Sequence, residues 1–422
     1  MGQHWAQRKK FPVGFIVIPK ASRFTPAMEA TRFVEFGKVE RRRDPLTEKL
    51  KTEVEGKWLW VELLGGELES TPEAWASFGL YPAMKRGCGI LLRGQVPPDK
   101  TWSGNAVKLM AKMIAWWGGA VPAVTARQRP SWRRRLGLER RGSKRLLFFS
   151  GGVDSFHALN EMIRLGKPPD ELLFVEGFDI DLADTGKSEA YLPALEEICR
   201  HHKLKLLRVR INLRKMPFFT PYNWQHTHGL AMAGVAHLIR GYGEIYIASS
   251  FETDRDIPYG SRKDLDVFFN SRLKQFYHVG YGILRTTKLA DMSDDVLVQR
   301  HLRVCWKGRG ARKNCGECEK CLRTELNVLA TGRHDQFTCF DHPDPLAARF
   351  DKLSCGWDPL IRMWQAAKVH SLPPDLERAV KEMLLRSLER LGGVPKDLAS
   401  ERAEIMAVLD YCGYSGELMF ES

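Results

Sequence analysis

The stretch K-R-L-L-F-F-S-G-G-V-D-S-F-H-A-L, residues 144–159, constrains this chain more than any other. Leu146, Leu147, Phe148 and Phe149 form a short apolar run of the length expected for a strand covered on both faces. After Ser150-Gly151-Gly152-Val153-Asp154-Ser155, the residues Phe156, Leu159, Met162 and Ile163 recur at helical spacing. A strand, a glycine-rich turn and a helix in that order gather backbone N–H groups at a helix N-terminus. Unpaired donors and the positive end of the helix dipole both favour an anion there. Gly151 and Gly152 let the backbone approach a ligand with no Cβ in the way, and Ser150 and Ser155 add hydroxyl donors. No Gly-Lys-Ser/Thr follows, so the turn is not a Walker A loop, nor does it read G-x-G-x-x-G. The residues alone leave two readings, an anion cradle or an ordinary strand-to-helix turn.

Further strands are expected at 171–175, Lys205–Ile211 and 244–249, with helices at 191–201 and 230–239 between them. Strands alternating with helices predict an α/β fold with a doubly wound parallel sheet, ligands lying at the carboxyl ends of the strands. Ser150, Gly177, Phe178 and Ser249 stand at such ends. Asp179, Asp181 and Asp184 follow the second strand, either as Mg²⁺ ligands or as a solvated acidic loop. His226 and His228 precede the next helix, where an H-x-H pair fits metal binding, acid–base work or helix capping.

The second strong signal is Cys305-x9-Cys315-x2-Cys318-x2-Cys321, four of the nine cysteines within seventeen positions. Such crowding reads as a metal site rather than a disulfide framework. Four thiolates complete a tetrahedral Zn²⁺ with no open position, which makes the site structural. An iron–sulfur cluster is the alternative for the same ligands.

The hexapeptide S-G-G-V-D-S resembles the pyrophosphate loop of the N-type ATP pyrophosphatases, the PP-loop superfamily, which includes GMP synthetase, asparagine synthetase and NAD synthetase. Paired with the four-cysteine knuckle, it looks like the 7-cyano-7-deazaguanine synthase-like branch, over about residues 145–326. The resemblance implies cleavage of ATP to AMP and pyrophosphate while a carboxylate or carbonyl oxygen is adenylated. It assigns Ser150, Gly151, Gly152, Val153, Asp154 and Ser155 to ATP and puts Glu176, Gly177 and Phe178 beside adenine and ribose; Ser249, at its own strand end, is a further cofactor-binding candidate. Asp154 would serve Mg²⁺ and pyrophosphate. Lys288, or next Arg285, would offset charge on the leaving pyrophosphate. Ammonia or an amine would then displace AMP from a small acid or deazapurine-like substrate. Pro258-Tyr259-Gly260-Ser261-Arg262 lacks the cysteine of the branch's substrate loop, so the substrate stays open. Two rival readings are a thiolating RNA-modifying enzyme, which would need Cys88 or Cys199, and a nucleotide sensor without turnover.

Charge divides the chain. Up to Arg145 there are 28 Lys+Arg against 13 Asp+Glu, so the whole excess of +14 lies in the first third. Residues 1–140 read as a basic α+β module, with strands at 13–19 and Lys57–Leu64, a helix at 105–117, and eight of the twelve tryptophans. Its Arg41–43, Arg133–135 and Arg140–141 clusters suit a nucleic-acid or protein co-substrate, or simply a solvated face over a tryptophan core. Residues 122–143 read as an exposed linker, 144–335 as the ATP domain and 340–422 as a helical tail. No apolar run nears the roughly 20 residues that span a bilayer, and no signal-peptide pattern opens the chain, so the expectation is cytoplasmic, with no membrane partner.

Overall fold

The computed structural model describes residues 33–250, 258–305, 307, 314–391, 394 and 402–414. The strand expected at 13–19 lies outside them. The described strands are β1 (Phe33–Phe36), β2 (Glu40–Arg43), β3 (Thr47–Val54), β4 (Lys57–Leu64), β5 (Gly89–Leu92), β6 (Val124–Ala126), β7 (Lys144–Phe148), β8 (Glu171–Glu176), β9 (Lys205–Ile211), β10 (Tyr242–Ala248) and β11 (Gln275–Val279). Eight of them form one sheet in the order β11-β10-β7-β8-β9-β4-β3-β2. From β11 to β9 neighbouring strands are parallel. From β9 to β2 they are antiparallel. The fold is therefore α/β with a mixed sheet: the expected parallel set is present and continues into an antiparallel extension. A second, three-stranded parallel sheet runs β1-β5-β6.

The apolar run at 146–149 is what the covered sheet requires. Leu146 and Phe148 pack into one core, Leu147 and Phe149 into another. The first core holds the helices Pro72–Arg86, Lys100–Trp117 and Trp224–Leu238, and the second holds Val153–Arg164 and Thr185–His201. In the extension only one face is covered. Leu50, Val54, Leu59, Val61 and Leu63 are fully buried in the first core. The residues alternating with them, Lys49, Lys51, Trp58, Trp60 and Glu62, lie on the face that retains exposure. Glu55 and Gly56 join β3 to β4, both with positive φ (52° and 74°), as a two-residue hairpin turn of matching twist demands.

Pairing of β4 with β9 carries the sheet across the boundary read near residue 140, and the chain from Phe33 onward forms one compact unit. Residues 122–143 are not a bare linker. They contribute β6 and a short helix (Trp132–Arg135), and Arg134, only 14% exposed, is paired with Glu73. Arg41 and Arg43 share Glu48 at 3.4 Å, and Trp75 and Trp102 are core residues. The tail forms the helices Trp357–Ala367, Pro374–Leu391 and Arg402–Cys412, whose core takes in Leu322 and Leu326. No described helix is long and apolar enough to cross a membrane.

Candidate functional site

The loop Ser150–Ser155 joins the carboxyl end of β7 to the helix Val153–Arg164. Gly151 has φ 76°, and a Cβ there would fall 1.6 Å from the Tyr191 hydroxyl, so only glycine fits. Gly152 is the N-cap, with no side-chain cap of its own, and the first-turn amides of that helix have no partner within it. The Gly152 N–H donates to Ser150 Oγ at 3.3 Å, and Ser150 Oγ lies 3.4 Å from Ser155 Oγ. Donors and hydroxyls thus converge on one side of the turn.

Asp154 is the centre of charge. Its Oδ1 accepts from Lys288 Nζ at 2.8 Å, and its Oδ2 accepts from Arg285 and from Ser250 Oγ, each at 3.3 Å. Lys288 is 1% exposed and also donates to the Ser249 carbonyl at 2.5 Å. Burial pushes the Asp154 carboxyl up, but Arg285 first and Lys288 next outweigh it and hold the group below its ordinary value. The structure therefore brings Ser150, Gly151, Gly152, Val153, Asp154, Ser155, Ser249, Arg285 and Lys288 together. Burial, followed by the Lys288 ammonium, depresses the nearby His157.

Gly177 and Phe178 end the neighbouring strand. Gly177 has φ 99°, and a Cβ would meet the Ile211 carbonyl oxygen at 1.9 Å. The Phe178 ring packs 5.0 Å from that of Trp224. Of the three aspartates beyond, Asp184 caps the helix Thr185–His201, and Asp181 accepts from the Ala183 N–H and pairs with Lys215. These are turn and capping roles; Asp179 is exposed, and its charge acts on His228, Tyr259 and Lys320. The histidines sit inside the helix Trp224–Leu238, whose cap is Asn223, rather than ahead of it. They diverge: His226 stacks on Trp117 at 4.3 Å and bonds Tyr81 Oη at 2.9 Å, whereas His228 packs edge-on to Tyr259 at 4.7 Å. Cys88 and Cys199 are buried in the two apolar cores, and burial pushes the Cys199 thiol up to about 12, away from nucleophilic use.

The four cysteines meet in one cluster with all Sγ atoms within 4.8 Å of one another. A tetrahedron with Zn–S bonds of about 2.3 Å places its sulfurs about 3.8 Å apart. Here Cys305–Cys318 is 3.8 Å, Cys315–Cys321 3.9 Å and Cys318–Cys321 3.5 Å. Backbone N–H groups of Lys307 and Cys318 donate to Cys305 and Cys315 sulfurs, and Cys318 caps the helix Glu319–Leu329, whose dipole favours thiolates at that end. The cluster can bind a metal ion such as zinc. Gly316 provides the left-handed turn between ligands (φ 74°). The adjacent C-terminal tail is tied on by the buried pair Arg349–Glu325 at 2.8 Å and by Arg349 to the Gly316 carbonyl.

Four contributors escape sequence reasoning. Arg303 donates to the Ser150 and Gly151 carbonyls, Tyr191 backs Gly151, and Asp358 and Arg362 of the tail act on Tyr259 together with Asp154 and Asp179. None has a local motif; each is placed by long-range packing. No family model matches the chain, and neither a curated protein nor a solved structure matches it.

Proposed function

We propose that the chain is an ATP-dependent adenylating enzyme, a ligase or synthase of the PP-loop type, built on a doubly wound parallel core. The observation that carries the reading is Asp154 held by Lys288 and Arg285 at the mouth of the S-G-G-V-D-S turn. The strand order supports it as well. β8 and β9 follow β7 on one side and β10 and β11 lie on the other, so the loop opens where the winding reverses, the usual ligand position in such sheets.

In this reading the loop amides and the Ser150 and Ser155 hydroxyls receive the ATP phosphates. Mg²⁺ commonly takes one or two carboxylates plus substrate phosphates, and Asp154 is the carboxylate at the loop. Gly177, Phe178 and Ser249 border the nucleoside. An oxygen of the substrate acid attacks the α-phosphorus, the bridging P–O bond breaks, and its electron pair leaves with pyrophosphate. Lys288 and Arg285 balance the charge that develops there, a contribution of about 3–4 kcal/mol for one well-placed donor. Ammonia or an amine then displaces AMP, giving an amide on a deazapurine-like or macromolecule-linked acid; with ammonia, a second ATP that adenylates the amide oxygen would carry the product on to the nitrile as a second AMP leaves. Zinc at the cysteine cluster supplies folding energy rather than chemistry.

The test is nucleotide product analysis with Mg-ATP and separate pools of small acids, deazapurines and RNA. AMP with pyrophosphate, stimulated by one pool, supports the reading and names the substrate class. ADP as product, or nucleotide binding without turnover, would sink it and leave the sensor.

A further inference from the structure

We propose that the cysteine cluster holds the anion loop in its binding geometry through Arg303, so that metal occupancy at one centre sets affinity at the other. For the identity of the anion this rests on the phosphate-loop reading; for the coupling it rests on the hydrogen bonds alone.

The connection begins at Asn314, the residue before the second ligand. Its Oδ1 accepts the N–H groups of Val304 (2.9 Å) and Cys305 (3.2 Å). Its Nδ2 donates to the carbonyls of Leu302 (2.8 Å) and Cys339 (3.0 Å). Residues 302–305 are thus fastened to the cluster by a ligand, Cys305, and by the side-chain amide of Asn314, which precedes the ligand Cys315. Within this segment the Arg303 N–H donates to the Gly151 carbonyl at 2.8 Å. Its guanidinium donates to the Ser150 carbonyl through Nε (3.2 Å) and Nη2 (2.9 Å). On the other flank, Tyr191 occupies the space a Gly151 Cβ would need and donates to the His301 carbonyl at 3.2 Å. The Arg303 guanidinium lies 5.1 Å from the Tyr191 ring centroid, which closes the bracket around the turn.

The chemical effect follows from peptide geometry. In a trans peptide the N–H points opposite to the C=O. With the Ser150 and Gly151 carbonyls drawn to Arg303, the N–H groups of Gly151 and Gly152 turn the other way, and Gly152 N–H does reach Ser150 Oγ at 3.3 Å. An arriving phosphate oxygen replaces that hydroxyl as acceptor. Arg303 itself is 7% exposed and faces the rear of the loop, so it is a positioning residue, not a catalytic one. Without a metal, Cys305 loses its fixed partner, and the segment that carries Arg303 loses one of its two anchors.

The experiment uses the full chain at measured zinc content, with magnesium pyrophosphate as the calorimetric probe and hydrogen exchange of the 151–155 amides as the second readout. Arg303→Met is expected to keep the metal, bind pyrophosphate about tenfold or more weakly, and exchange faster at the loop, as two lost charge-assisted hydrogen bonds imply. Arg303→Lys should recover part of the affinity. Stripping zinc from the unaltered chain should reproduce both effects while β3 and β4 stay protected. Unchanged affinity and exchange in Arg303→Met, or in the stripped chain, overturns the coupling, as does stripping that exposes β3 and β4 equally. If pyrophosphate never binds but loop exchange still follows the metal, the coupling stands and the adenylation reading falls.

Discussion

The two halves of the large sheet differ in what their faces meet. Strands β7 and β8 are covered on both sides, and the carboxyl end of β7 carries the loop, Asp154 and the cations gathered around it. Strands β2 to β4 are covered on one side only, and their outer face is a ladder of compensated charges. Lys49 lies 4.2 Å over the Trp60 ring and Lys51 4.1 Å over Trp58, while Glu62 takes both Lys49 and Arg210. At the carboxyl end of β7 two cations and a hydroxyl converge on Asp154 beside the loop; in the antiparallel half charge is spread along the outer face. Concentrated charge is what a reactive site requires, whereas dispersed charge suffices for a solvated surface.

The contrast can be broken at several points. Cys318→Ser should release the metal and cost about 3–5 kcal/mol or more of stability, given the large folding contribution of structural zinc. Zinc content and thermal unfolding check it, and a variant that keeps both would show that Cys318 is not a ligand on which the fold depends. Asp154→Asn should keep the fold and lower AMP formation by about 10²–10³-fold, the scale of one lost electrostatic contact in an active site. Undiminished AMP formation would move the chemistry elsewhere.

A pH titration sharpens the comparison further. Burial first, and Lys274 second, depress the pKa of His237 on the inner helix of the parallel half to about 3, and its Nε2 lies 3.0 Å from the Phe269 carbonyl. Below its unfolded value of about 6.5 the unfolded chain takes up a proton that the folded chain refuses. Stability should therefore fall as pH drops from about 6.5 towards 3, by about 1.4 kcal/mol per unit for this group. Denaturant unfolding of His237→Asn should show a shallower slope; an unchanged slope would remove His237 as the cause. Lys51→Ala on the outer face should shift stability by no more than about 1 kcal/mol and leave AMP formation alone. A larger loss, or an effect on turnover, would erase the distinction between the halves.

Legibility in the sequence followed the same division. The apolar run at 146–149, the 205–211 strand and the cysteine spacing are local signals, and the structure shows the strands and clusters the thiols where those signals lie. β3 was not read from the sequence, although Leu50, Thr52 and Val54 alternate with Lys49 and Lys51 ahead of the Glu55-Gly56 turn; only beside its partner strand does that pattern acquire meaning. Arg303 could not be found that way. Its role depends on a carbonyl 153 positions earlier in the chain, and no spacing rule reaches that far. The histidines misled for a related reason: an H-x-H places its side chains on different sides of a helix, so His226 and His228 face separate neighbours.

The junction of β4 with β9 has a consequence for synthesis. Val61 pairs with Ile211, so the edge of β4 has no neighbour until another 150 residues have left the ribosome. At about 5–20 residues per second that interval is on the order of ten seconds. During it, a three-stranded ribbon with one apolar face must survive alone, presenting an open flank to every other nascent chain. The exposed arginines of β2 lie on the opposite edge of that ribbon and charge it, and charged edges resist pairing with strangers.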